Sequence, residues 1–76
     1  MKWTVAIGVD THRDLHVAVA LDRLGRKLAS IELETTSRGS EELLSFARRL
    51  GQPAFVIEGT GSYGASLARF LTEAGC

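Results

Sequence analysis

The chain predicts a small α/β domain with the element order β-β-β-α-β-α and a sheet in the order 3-2-1-4. Three observations predict it. Two short apolar runs, Val5-Ala6-Ile7-Gly8-Val9-Asp10 and Ala54-Phe55-Val56-Ile57-Glu58, each end on a carboxylate. Two stretches of strict alternation, 15–21 and 27–35, lie between them and are joined by a glycine-containing turn. Two stretches with helical spacing follow the third and fourth strands, and each stops at a glycine, Gly51 and Gly75.

The first strand puts Trp3, Val5, Ile7 and Val9 on one face and Thr4, Ala6, Gly8 and Asp10 on the other. Both faces are apolar or small, which predicts a central strand covered on both sides. An unpaired carboxylate is costly to bury, so Asp10 belongs at the rim, where it meets solvent, a metal or a ligand. Thr11-His12-Arg13-Asp14 is a tight polar turn. In the second strand Leu15, Val17, Val19 and Leu21 alternate with His16, Ala18 and Ala20, and Asp22-Arg23-Leu24-Gly25-Arg26 is a hairpin turn. The third strand, 27–35, places Ala29, Ile31, Leu33 and Thr35 on one face and Ser30, Glu32 and Glu34 on a charged face that suits a sheet edge. These three strands form an antiparallel meander.

Thr36-Ser37-Arg38-Gly39-Ser40 reads as a loop with several candidate N-caps, and Glu41 and Glu42 as the first turn of a helix. Leu43, Leu44, Phe46, Ala47 and Leu50 recur at helical spacing, with Arg48 and Arg49 in the last turn. Pro53 opens the fourth strand, where a missing N–H costs least. A second helix over 63–74 carries Tyr63, Leu67, Phe70, Leu71 and Ala74 as its apolar stripe. A right-handed crossover through the first helix makes the fourth strand parallel to the first. Asp10 and Glu58 then share a carboxyl edge on strands about 4.8 Å apart, the edge at which open α/β sheets place their ligands.

Composition bounds the function. The 76 residues suffice for one small domain, 1–76, of marginal stability. Nine basic and nine acidic residues give no net charge, so nothing global marks a nucleic-acid binder, although a local basic patch is compatible with that balance. One cysteine excludes an intrachain disulfide and suits a reducing compartment. No apolar run approaches the roughly 20 residues that cross a bilayer, and no export signal precedes the first strand. The expected location is the cytoplasm, with no membrane partner.

Two close carboxylates repel unless one is protonated or a cation lies between them. Oxygen-only ligands favour Mg2+ or Mn2+. Two such ions about 4 Å apart clamp the attacking and leaving oxygens of a phosphodiester. Alternatively, Asp10 and Glu58 are solvated caps on turns or helix starts. His12 and His16 are four apart, but across a turn and a strand that spacing carries little metal signal; a polar turn residue and an outward or interfacial strand histidine account for them. Arg13 either meets a phosphate or is a solvated turn arginine. Gly59-Thr60-Gly61-Ser62-Tyr63-Gly64 matches the bare pattern G-x-G-x-x-G. It follows the fourth strand rather than the first, and Glu58 ahead of it would repel a pyrophosphate, so a close-packed strand-to-helix turn is favoured over dinucleotide binding.

With these residues assembled, Ile7-Gly8-Val9-Asp10-Thr11-His12-Arg13-Asp14-Leu15-His16-Val17 resembles the first motif of the DEDD transposases of insertion sequence family 110, and Glu58-Gly59-Thr60-Gly61-Ser62-Tyr63-Gly64 resembles their second. The resemblance covers essentially the whole chain. It implies a partial RNase H-like domain of the Holliday-junction resolvase type, with the first two catalytic and metal-binding acids on Asp10 and Glu58. It implies DNA cleavage and strand exchange during transposition, Mg2+ or Mn2+ as cofactor, DNA as partner and, in at least some members, an element-encoded guide RNA. His12, Arg13, His16, Thr60, Ser62 and Tyr63 are the nucleic-acid-binding candidates. The family usually has lysine where Arg13 stands. Its third and fourth acids, both aspartates, and its serine nucleophile fall beyond Cys76, so the expectation is the N-terminal part of a transposase catalytic domain that does not cleave DNA alone. Two other readings compete with it. One is a non-enzymatic piece that self-associates through the fourth strand or binds structured RNA. The other is a piece of an actin-like or sugar-kinase ATPase, against which the glycine-free turn at Thr11-His12-Arg13-Asp14 argues.

Overall fold

A computed structural model describes residues 3–59 and 62–75 of the chain. Its elements are β1 (Val5–Thr11), β2 (Leu15–Leu21), β3 (Lys27–Glu34), α1 (Ser37–Leu50), β4 (Pro53–Gly59) and α2 (Ser62–Glu73). The sheet order is β3-β2-β1-β4. β1, β2 and β3 form the antiparallel meander, and β4 runs parallel to β1. The expected element order, strand order and strand directions are all present.

The β2–β3 turn is held by Asp22, whose carboxylate accepts from the Leu24 and Arg26 amides and the Arg26 Nε, each at 2.9 Å. Gly25 takes φ +85° there, a backbone conformation that only glycine adopts without strain. Gly51 ends α1 as expected, for a reason beyond a helix stop. A Cβ at its φ of +152° would collide with the Thr4 hydroxyl, which accepts from the Gln52 amide at 2.9 Å and seats the α1–β4 loop against the start of β1.

α1 begins four residues earlier than the acidic pair suggested. Thr36 is its N-cap, in extended backbone, with its side chain accepting from the Gly39 amide at 3.0 Å. Ser37 to Ser40 are therefore helical, and Glu41 and Glu42 lie beyond the first turn, which contains no acid. The reason is competition between caps: several hydroxyls in 36–40 could cap, and the first with suitable backbone takes the role. Arg48 and Arg49 do occupy the last turn, and Arg48 donates to the Ala74 carbonyl at 2.9 Å, tying the two helix ends together.

α1 lies over β3 and β1, and α2 over β4. Val5, Ile7 and Val9 of β1, Ala18 and Ala20 of β2 and Leu33 of β3 meet Leu43, Phe46 and Ala47 of α1 and Leu67 and Leu71 of α2 in one buried cluster. Burial of each large member contributes about 1.5–3 kcal/mol. Among the described residues both helices cover this one face. The expectation of a first strand covered on both sides is corrected accordingly: Thr4, Gly8 and Asp10 are exposed, as are Val56 and Glu58 on β4. Ala6 and Gly8 suggested cover because they are small and uncharged, yet they lie on the open face.

Candidate functional site

The carboxyl end of the parallel pair carries the two acids. Register places Asp10 of β1 beside Glu58 of β4, after Gly8 beside Val56. Period-two alternation puts both side chains on the open face, and both residues are exposed. His12, in the turn after β1, brings its Nε2 to 3.2 Å from the Asp10 carboxylate, with the two side chains 59% and 61% exposed. Three groups with oxygen or nitrogen donors thus sit at one solvent-accessible edge. Among the described residues no cluster of three or more His, Cys, Asp or Glu is arranged to hold a metal ion. The chemistry of Asp10 and Glu58, two exposed carboxylates in register, fits part of a hard-cation site.

Below the acids the strand ends are locked together. The Thr11 hydroxyl, on the covered face, donates to the Glu58 carbonyl at 2.8 Å. Gly59 follows with φ +132°, and a Cβ there would strike the Thr11 hydroxyl. A Cβ on Gly64 would lie 3.5 Å from both Ile57 and Thr11, so the first turn of α2 approaches the strands closely. This supports the reading of the glycine-rich segment as a packed strand-to-helix turn at Gly59 and Gly64.

Arg13, His16 and Tyr63 lie on the other side of the sheet. His16 is 2% exposed, on the face that the helices cover. Burial, and then the neighbouring His12, hold its pKa below the ordinary histidine value, which favours the neutral ring. Its Nδ1 is 3.5 Å from the Thr35 hydroxyl, which itself donates to the His12 carbonyl at 2.8 Å. Thr35 also donates its amide to the Asp14 carbonyl at 3.2 Å, so the end of β3 pins the turn carrying His12 and Arg13. Arg13, His16 and Tyr63 line one cleft, together with Thr36, Ser40 and Ser66.

The candidate list therefore separates into two groups. Asp10, Glu58 and His12 share the open face, while Arg13, His16 and Tyr63 share the cleft under the helices. Ser62 opens α2, and Thr60 lies outside the described residues. Sequence reasoning gave no site role to Thr11 or Thr35. Thr11 carried a signal in hindsight, a hydroxyl on the buried parity of a strand end. Thr35 carried none, because its neighbours are distant in the chain.

A meander of three antiparallel strands, a helix, a fourth strand parallel to the first and a second helix, with an acid at the carboxyl end of each strand of the parallel pair, is the RNase H-like arrangement. A family model described as Transposase, of the DEDD type of insertion sequence family 110, matches residues 7–76. The chain belongs to that family of transposases. No curated protein matches it.

Proposed function

We propose that this chain supplies the Asp10 and Glu58 part of a divalent-metal site for DNA cleavage and strand exchange in insertion-sequence transposition. The observation that carries the reading is the in-register pairing of these two acids at one open edge. The family match supports the reaction class. Asp10 and Glu58 would hold Mg2+ or Mn2+, which supplies Lewis-acid stabilisation of a phosphodiester when bound. His12 orients the Asp10 carboxylate from 3.2 Å. Thr11 and Gly59 fix the spacing of the two strand ends beneath them.

DNA is the proposed partner, with an element-encoded guide RNA as a second, and the cytoplasm the proposed compartment. Among the described residues no helix is long and apolar enough to cross a membrane. Two acids are fewer than a full set of metal ligands, and the described residues add no third to them. The chain is therefore proposed not to cleave DNA by itself. Mg2+-dependent nicking by the 76-residue chain, abolished in Asp10→Asn, would overturn that statement.

The test of the site is a Mn2+ titration of 15N-labelled protein followed by NMR. Selective broadening around Asp10 and Glu58 that disappears in Asp10→Asn is expected. A dispersed spectrum without selective broadening would refute the metal role of this pair.

A second reading, self-association, is favoured by one observation. β4 ends the sheet among the described residues and presents Val56, 59% exposed, beside Gly8. Such an edge is a template for a second copy.

A further inference from the structure

Register builds the open face of the sheet row by row. Val56, Gly8 and Val19 stand side by side in one row, and Ala54, Ala6 and Leu21 in the next. Charge of opposite sign bounds this apolar centre at its two ends. At the carboxyl end of β1 and β3 stand Asp10, Glu32 and Glu34, with Glu58 beside Asp10. At the other end stand Lys27, paired with Leu21, and Arg23, whose guanidinium lies 5.2 Å from the Trp3 ring. Asp22 is at that end too, but its carboxylate is engaged by Arg26 at 2.9 Å. We propose that this face is an interface between two copies of the chain, packed open face to open face with their strands antiparallel.

Charge complementarity selects both the occupant and its orientation. A two-fold axis running across the strands lays the acidic end of each copy over the basic end of the other, so that Glu32 and Glu34 of one copy face Lys27 of its partner. A two-fold axis running along the strands would set acid over acid, which is repulsive. The first arrangement makes each contact twice, the self-complementarity that a closed dimer requires. Gly8 is an independent observation. Its φ is not positive, and a Cβ there would meet nothing within 4 Å, so neither the backbone nor the packing of the chain calls for glycine. Glycine weakens a strand interior and marks a place where another backbone or a ligand comes close. Ala6 and Ala54, in the next row, keep the same part of the face low. Around them Val17, Val19 and Leu21 are only half-buried. A second sheet about 10 Å away removes their remaining apolar surface from water.

The proposal does not rest on the metal reading, and it differs from pairing through the β4 edge because its contacts lie on the face. The experiment follows the 76-residue chain by sedimentation equilibrium across a concentration series, with a circular dichroism spectrum of every variant. A monomer–dimer equilibrium is expected for the natural chain. Lys27→Glu and Glu34→Lys should each weaken it by about tenfold, since each sets like charges against one another at both ends of the dimer. The double variant Lys27→Glu/Glu34→Lys should regain most of that loss. The two residues stand at opposite ends of β3, roughly 23 Å apart, so a rescue reads a contact between copies. Gly8→Lys should abolish the dimer and leave the spectrum unchanged. β1 is interior to the sheet, so this substitution leaves both edge strands free to pair. Association that survives Gly8→Lys would be edge pairing; it would overturn the face proposal and leave the edge reading standing. A double variant that does not rescue would overturn the proposal through its antiparallel orientation. A natural chain that is monomeric throughout would assign the face to another occupant and overturn the face and edge readings together.

Discussion

Single residues here act through partners that differ in sequence distance, and that distance decides what could be read in advance. Asp22 accepts from Leu24 and Arg26, two and four residues away, so a turn built on this aspartate was legible locally. The Arg26 amide, more than any other neighbour, draws its carboxyl below the unfolded value of 3.8. The folded chain thus binds this proton less readily than the unfolded chain. The stabilisation is fully present above pH 3.8 and is lost as pH falls through the folded value. Thermal melts at a series of pH values should show a steeper acid limb for the natural chain than for Asp22→Asn. Equal limbs would mean that this carboxylate does not contribute. Thr11 is the contrary case: its partner, the Glu58 carbonyl, is 47 residues away, and no local pattern announces it. The two acids themselves were legible because a strand that ends on a carboxylate is conspicuous in an apolar run. The hydroxyls of the cleft were not, because serine and threonine in a loop look alike whether they cap, bind or face solvent.

Among the elements, α1 shows where propensity misleads. Glu41 and Glu42 advertised a helix start, but Thr36 made the cap and drew Arg38 and Gly39 into the helix. Gly39 ranks among the poorer helix formers, costing about 1 kcal/mol relative to alanine. It is nonetheless required where it stands. A Cβ at Gly39 would collide with the Glu34 carbonyl oxygen, so the start of α1 rests directly on the end of β3. Gly39→Ala should therefore destabilise the chain by about 1–3 kcal/mol, the range of overpacking, despite its better propensity. Urea denaturation measures it, and a midpoint that rises would show that α1 can move off β3.

For the whole molecule, the consequential feature is a sheet covered by helices on one face only among the described residues. The open face runs from Ala6, Gly8 and Asp10 of β1 to Val56 and Glu58 of β4 and to Val17 and Val19 of β2. The metal reading needs the acids accessible there, and the self-association reading needs β4 accessible beside them. Val56→Lys is a surface substitution with an expected stability effect within about 0.5 kcal/mol, and lysine on an edge strand opposes strand pairing. Light scattering across a concentration series should show association of the natural chain that this variant abolishes, with the circular dichroism spectrum unchanged. A natural chain that stays monomeric at every concentration would remove the self-association reading and leave the metal proposal untouched.

Alternation, helical spacing and stop residues were enough for the element types, their order, the strand directions and the meeting of Asp10 with Glu58. Each of those follows from short-range periodicity together with general rules of chain connection. The assignment of faces belonged to the tertiary structure alone. In β2 the bulkier set, Leu15, Val17, Val19 and Leu21, turns to the open face, while His16, Ala18 and Ala20 lie under the helices. A period of two says that faces differ but not which is inward, and both sets are apolar enough to be buried. The decision falls to the register with β1, which aligns Ala18 with Val9 and Ala20 with Ile7, and to the helices, which cover the face on which those residues stand. The same decision sends His16 and Arg13 to one side of the sheet and Asp10 and Glu58 to the other.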